Sequence, residues 1–417
     1  LAPVLRDFFL PAGIAPPLTP EALGLVITAL ADRGAEALAE VGEAALLAAW
    51  ADTVEAFRDP GSPERQALDP ALARLCRLSP AGLAAGLEAV LGGVREGPAA
   101  ALFARARSLR ERARGTGPVL AVLAANLPAL AVQPLLPAMA LGRPVFLKSP
   151  SAEPLFTPAF LAALARREPR LGAALAAAAW PGGDAALEAP LLAGAGTILA
   201  YGGQEALDDL ERRAPGKLVR YGPQTSLAAV AEDADPAAVA AGLARDVALF
   251  DQRGCLSVAA VYVEGTLADA GELAARLSAA LSELARLWPP GPPEPVAAAA
   301  VQQIRLAAEM RGLPLPQPHL PLAAGTVIVE PEPAFQPSPG LRTVRVHPLA
   351  DLGRLPGLLA PWQGRLQGAA LAGPGAWRIA AGLTRLGVSR TAPPGELQSP
   401  DAAWHNGGID PLAALSR

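Results

Sequence analysis

From Thr19 to about Arg114, apolar positions recur at helical spacing; beyond that point the pattern changes to short apolar runs separated by helical segments. In the first region Thr19 precedes Pro20 and Ser79 precedes Pro80, each placing a capping hydroxyl ahead of a proline at the first helical position. Residues 1–116 therefore read as a helical lead-in. Across 117–222 the chain alternates. VLAVLAAN (119–126) reads as a strand, the proline-bearing stretch after it as a crossover helix, and PVFLKS (144–149) as a strand. SAEPLFTPAFLAALARRE (151–168) then reads as a helix, AAAAWP (176–181) as a weak strand, GTILAYG (196–202) as a strand and QEALDDLERRA (204–214) as a helix. Such alternation predicts a parallel sheet covered on both faces, with ligands beyond the carboxyl ends of its strands. A second α/β unit spans 223–392. TSLAAVAED is its first strand, Asp235 caps a helix opened by Pro236 and running toward Phe250, and SVAAVYVEGT is the next strand. A long helix from about Asp269 to Leu287, a break at PPGPPEP and further alternation follow, and the tail 393–417 carries WHNGGIDPL.

Composition narrows the function. The most apolar run, Pro118 to Gly142, is long enough to test as a membrane span, but Asn126, Gln133 and prolines at 128, 134 and 137 interrupt it, so a span is not expected. The 35 basic and 39 acidic residues leave a formal charge of -4, and no basic block could track a phosphate backbone, which argues against nucleic acid as a partner. Cys76 and Cys255 are the two cysteines; neither a disulfide framework nor a cysteine zinc site is indicated, and a reducing cytoplasm is expected. His319, His347 and His405 are scattered, with no HExxH pair and no GxSxG elbow, which disfavours zinc and serine hydrolases. Arginine is abundant, whereas Lys148 and Lys217 are the two lysines, so each lysine draws notice.

Cys76 lies inside DPALARLCRL among apolar neighbours and reads as a small core residue. Cys255 differs: in ALFDQRGCLSV it follows a helix and a polar turn, with Gly254 immediately before it, and can reach a cleft as a nucleophile. Arg253 or the amides of the turn could lower its pKa. Asn126 ends the first predicted strand, where its carboxamide could hold the oxygen of a tetrahedral intermediate or simply cap a helix. Lys148 closes the second strand, and the four residues after it carry no carboxylate, Glu153 being the nearest. Gly202 and Gly203, between a strand and a helix, could let backbone amides approach a cofactor.

Together these features resemble the aldehyde dehydrogenase superfamily, and within it the acyl-CoA reductase branch, the LuxC family. The resemblance runs from NLP at 126 through LKSPSAEPL, AYGGQEAL, YGPQTS and FDQRGCLS to WHNGG, with FDQRGCLS the most specific. It implies an aldehyde-dehydrogenase-like α/β fold in which 117–222 binds a dinucleotide and 223–392 carries the chemistry. It further implies Cys255 as the nucleophile that forms an acyl thioester, Asn126 as the oxyanion-binding amide, Lys148 as the adenosine-ribose ligand and Ser151 as a further cofactor-binding residue. Tyr201, Gly202, Gly203, Tyr221 and Gly222 fall beside the cofactor. Aldehyde dehydrogenases that hydrolyse their thioester carry a glutamate base in a stretch resembling ELGGKSP; RYGPQTS stands here, with Arg220 in place of that glutamate, and arginine cannot take a proton from water at neutral pH. Asn406 replaces an aspartate expected in the luminescence branch, which leaves His405 as a surface or cap residue. The expected activity is NADPH-dependent reduction of fatty acyl-CoA to the aldehyde, with NADH as the alternative reductant. Its rivals are a short-chain CoA-acylating aldehyde dehydrogenase and a non-catalytic scaffold. Chain length of the acyl group, homo-oligomerisation and an acyl-transferring partner subunit are left open by the sequence.

Overall fold

Twelve strands form two sheets in a computed structural model that describes residues 4–214, 216–316 and 324–416; His319 lies outside them. The first sheet comprises β1 (Phe8–Phe9), β2 (Val119–Val122), β3 (Val145–Ser149), β4 (Leu175–Ala179), β5 (Thr197–Tyr201) and β6 (Leu218–Tyr221), in the order β1-β4-β3-β2-β5-β6. It is parallel except for β1, which pairs antiparallel with β4. The second comprises β7 (Thr225–Val230), β8 (Val258–Glu264), β9 (Thr326–Val329), β10 (Thr343–Leu349), β11 (Leu366–Ala372) and β12 (Arg390–Ala392), all parallel, in the order β12-β11-β7-β8-β10-β9. Strands β3, β5 and β11 are buried throughout, as parallel strands covered on both faces must be.

The lead-in helices form where their start signals place them. Thr19 Oγ1 accepts from Ala22 N and Ser79 Oγ from Gly82 N, and Asp235 likewise caps the helix Pro236–Ala248. The helix Ala35–Arg58 packs on Phe156–Arg167 through a cluster of aromatic edges, with Phe57 and Phe160 ring centroids 5.1 Å apart and Trp50 and Phe160 5.5 Å apart. One continuous core thereby joins the lead-in to the first sheet.

Several elements differ from the sequence reading. Strand β2 stops at Val122, not Asn126: Leu123 N still bonds Lys148 O, but Pro128 and the left-handed Ala129 (φ 64°) turn the chain out of the sheet before the helix Val132–Ala140. Asn126 thus sits on a loop. The helix read from Ser151 begins at Phe156. Strand β6 had no apolar run to betray it, because Arg220 within it faces the acidic helix Gln204–Arg213. Among the described residues no helix is long and apolar enough to cross a membrane.

Candidate active site

Between the two sheets lies a cleft of about 640 Å³. Its floor on one side is the loop after β2 together with the residues closing β5 and β6, the carboxyl end of the first sheet. The other side is the loop just before β8, the start of β7, and Trp362 and Arg365 ahead of β11. Cys255, Asn126, Tyr201, Gly202, Gly203, Tyr221 and Gly222 all line it. Lys148 and Ser151 do not. Lys148 is buried, its Nζ donating to Trp180 O at 3.1 Å and lying 5.3 Å from the centre of the Trp180 ring, while Ser151 is exposed in the turn after β3.

The loop that carries Cys255 is held at every residue. Three consecutive residues, Phe250, Asp251 and Gln252, adopt left-handed backbone (φ 56°, 51° and 66°), a conformation that disfavours each by roughly 1–2 kcal/mol. Their side chains explain why it persists. The Phe250 ring fits against Gly86 so closely that a Cβ there would meet it at 2.3 Å. Asp251 Oδ1 accepts from Arg342 Nε and Nη2 at 3.0 and 2.7 Å in a buried pair, and its Oδ2 accepts from Gly291 N. Gln252 Nε2 donates to Val258 O and Thr343 O, and its Oε1 accepts from Thr343 N and Ser338 Oγ. Gly254 passes so near Gln398 that a Cβ would lie 2.8 Å from its Oε1. Finally, the Cys255 carbonyl accepts from Ser226 Oγ at 2.7 Å.

Arg253 does not activate the thiol, contrary to the sequence expectation. Its guanidinium turns away to the carbonyls of Phe250, Cys76 and Arg77, tying the loop to the lead-in helices. Burial pushes the Cys255 thiol up to about 11; the N–H groups of Cys255 and Leu256 pull in the opposite direction without overcoming it. At neutral pH Cys255 is therefore a protonated thiol. Cys76 is buried at the end of the helix Pro63–Leu75, its thiol pushed up to about 12 chiefly by burial, and is a core residue as expected.

Asn126 Nδ2 donates to Arg253 O at 3.3 Å, which leaves a second amide proton unassigned, and its Oδ1 is buried with no partner among the described residues. Arg220 is directed out of the cleft to Asp208 at 2.6 Å and to Glu211. No Asp, Glu or His lines the cleft among the described residues. Tyr201 and Tyr221, register partners on β5 and β6, stack with centroids 4.4 Å apart and planes 7° from parallel.

Asn406 and Arg365 are among the lining residues that the sequence reading did not assign to the site. Asn406 accepts from Gln367 Nε2 at 2.7 Å and donates to Gln133 Oε1 at 3.1 Å, so the tail bridges β11 and the helix Val132–Ala140. Its departure from the expected aspartate was the available signal. Arg365, exposed at the mouth beside the Trp362 ring, had none. His405 does not line the cleft; it is half-exposed, with Nε2 3.6 Å from Asp410 Oδ2, a surface placement as expected.

The family model described as acyl-CoA reductase (LuxC) matches residues 68–417. A long-chain acyl-protein thioester reductase of Aliivibrio fischeri is 24% identical over 246 residues, 58% of this chain and 50% of that one. One from Vibrio harveyi is 24% identical over 159 residues, 37% and 33% of the respective chains. These matches span between a third and a half of the relatives' length. Among solved structures, aldehyde dehydrogenase 21 from Physcomitrella patens superposes with a TM-score of 0.68 at 16% identity, covering 95% of this chain and 88% of that one. An NADP-dependent glyceraldehyde-3-phosphate dehydrogenase from Bacillus halodurans gives 0.66 at 19% identity, covering 90% and 83%. The fold is that of the aldehyde dehydrogenases.

Proposed function

Because the chain belongs to the acyl-CoA reductase (LuxC) family, we propose that it reduces a fatty acyl thioester, with acyl-CoA as the first choice, to the aldehyde through an acyl-Cys255 intermediate and with NADPH as reductant. The observation that carries this reading is a cysteine and a carboxamide in one cleft that lacks any carboxylate or histidine among its described lining residues. Cys255 Sγ, once deprotonated, attacks the thioester carbonyl; the bond to the leaving thiol breaks, and that thiolate takes up the proton Cys255 released. The oxyanion is held by Asn126 Nδ2 and the Cys255 N–H. With no carboxylate or histidine among the described lining residues to activate water, the acyl-enzyme lasts long enough to be reduced.

The residues present fit a nicotinamide dinucleotide. Gly203 opens the helix Gln204–Arg213 without a side-chain cap, and a Cβ there would meet nothing within 4 Å, so backbone and helix terminus are open to a phosphate. When bound, the cofactor supplies hydride to the acyl carbon. Asn126 and the Cys255 amide hold the resulting oxygen until collapse breaks the C–S bond, freeing aldehyde and the Cys255 thiolate, which takes a proton from solvent to restore the thiol. NADPH is favoured because residues 149–152 are uncharged and Glu153 is turned inward, its Oε1 accepting from Leu155 and Phe156 N–H. We assign the adenosine end to Lys148 and Ser151; the Lys148 ammonium has donors beyond the one given to Trp180 O.

Intact-mass measurement after mixing with acyl-CoA is the direct test. An acyl adduct should appear on the wild-type chain, vanish in Cys255→Ala, and be discharged as aldehyde on adding NADPH, while Cys255→Ala still binds NADPH by fluorescence titration. An adduct that forms equally on Cys255→Ala, or no adduct with any acyl thioester, would reject the proposal.

A further inference from the structure

The cleft has a back wall made of Gln133, Tyr201, Tyr221 and Asn406, and these same four residues form the front of a second cavity. That cavity is small, about 50 Å³, and its other walls include Val90, Val94, Val132, Leu136, Ile409 and Pro411. We propose that it is the entrance to the site for the distal part of the substrate's acyl chain, with the Gln133–Asn406 amide pair and the two tyrosines as its threshold. The inference rests on the thioester-reductase reading above and adds where the hydrocarbon goes.

Three observations converge. First, the two ends of the cleft differ in chemistry. Around Gly202, Gly203 and Gly222 the lining is exposed backbone suited to a polar cofactor, whereas behind the four shared residues it is mainly aliphatic, with Asp401 and Trp404 of the tail also on its wall. Each methylene moved from water onto such a surface is worth about fourfold in affinity, so a long chain attached at Cys255 favours the aliphatic end.

Second, the walls come from three separate pieces: the end of the helix Pro80–Gly92 with Val94, the helix Val132–Ala140, and the tail 400–411. No sheet ladder crosses the cavity, so enlarging it to admit a chain displaces side chains and tail without unpairing a strand. Third, the threshold is held by replaceable contacts. Asn406 is fixed by two side-chain hydrogen bonds, to Gln367 and Gln133, and the tyrosines by stacking on each other. Behind it, Trp404 Nε1 is buried without a partner among the described residues, so displacing that indole breaks no hydrogen bond of its own.

The test fills the cavity from its partly buried side, where the fold can absorb bulk. Ile409→Trp and Val90→Phe are made separately, and acylation of Cys255 by CoA thioesters of four, eight, twelve and sixteen carbons is followed by intact mass. The expected result is a loss of at least tenfold in rate for the two longer chains in each variant that keeps the wild-type melting profile, with the four-carbon thioester within twofold of wild type. An equal loss at all lengths, or no change at any length, in both variants overturns the acyl-chain site. Failure of the wild-type chain to be acylated by any thioester instead overturns the reading of Cys255 itself.

Discussion

Cys255 combines a strained approach, an amide-lined setting and a thiol that burial keeps protonated. Its alkylation by iodoacetamide should accelerate as pH rises past 9 and level off only near 11, the direction expected of a pKa raised by burial; a plateau at pH 8 would show a thiolate stabilised in the free protein. Peptide mapping should find the label on Cys255 before Cys76. Asn126→Ala should slow turnover by about 10²–10³, the usual effect of removing one oxyanion donor, while leaving cofactor affinity within twofold; steady-state rates together with fluorescence titration check both. At this scale the sequence was informative about identity and silent about state. FDQRGCLS singles out Cys255 because its polar turn interrupts an apolar pattern. The direction of the Arg253 side chain and the net effect of burial on Cys255 depend on Cys76, Arg77 and the second sheet, which no local reading contains.

Among elements, the left-handed turn before Cys255 depends on partners far along the chain. The Asp251–Arg342 pair is buried on both sides, so Arg342→Ala strands a carboxylate and should lower stability by about 3–5 kcal/mol, measured by urea unfolding. The strands of both sheets were legible where apolar runs are flanked by turn residues, and the helix starts where hydroxyls or Asp precede proline. What could not be read were β1, two residues long, and β6, whose Arg220 answers to Asp208 on a neighbouring helix. The early end of β2 was masked too, since Ala124 and Ala125 continue its apolar composition after the last bond to β3, from Leu123 N, has been made.

For the molecule as a whole, the tail matters more than its composition suggested. Asp246 accepts from Gly395 and Leu397 N–H, and Asn406 joins Gln133 to Gln367, so residues 393–416 fasten the two sheet-bearing halves from outside. Sequence placed WHNGG at the end of the chain but could not show that it reaches the cleft. Buried carboxyls also set how stability responds to acid. Burial pushes Glu153 and Asp246 each up to about 7, above their ordinary carboxylate range, so the folded chain holds protons that the unfolded chain releases. Their contribution therefore falls as pH rises from about 4 to 7. Glu153→Gln keeps the acceptor for Leu155 and Phe156 without titrating, and should gain stability relative to wild type between pH 5 and pH 8, as read by paired thermal melts.

Three side chains in a row bent against their preferred backbone make a useful marker for evolutionary comparison. A descendant released from chemistry would be free to relax Phe250, Asp251 and Gln252 into ordinary geometry, and the glycine facing Phe250 could then grow a side chain. Persistence of that contorted trio alongside the Gly86 notch would indicate a lineage still under selection to turn over substrate.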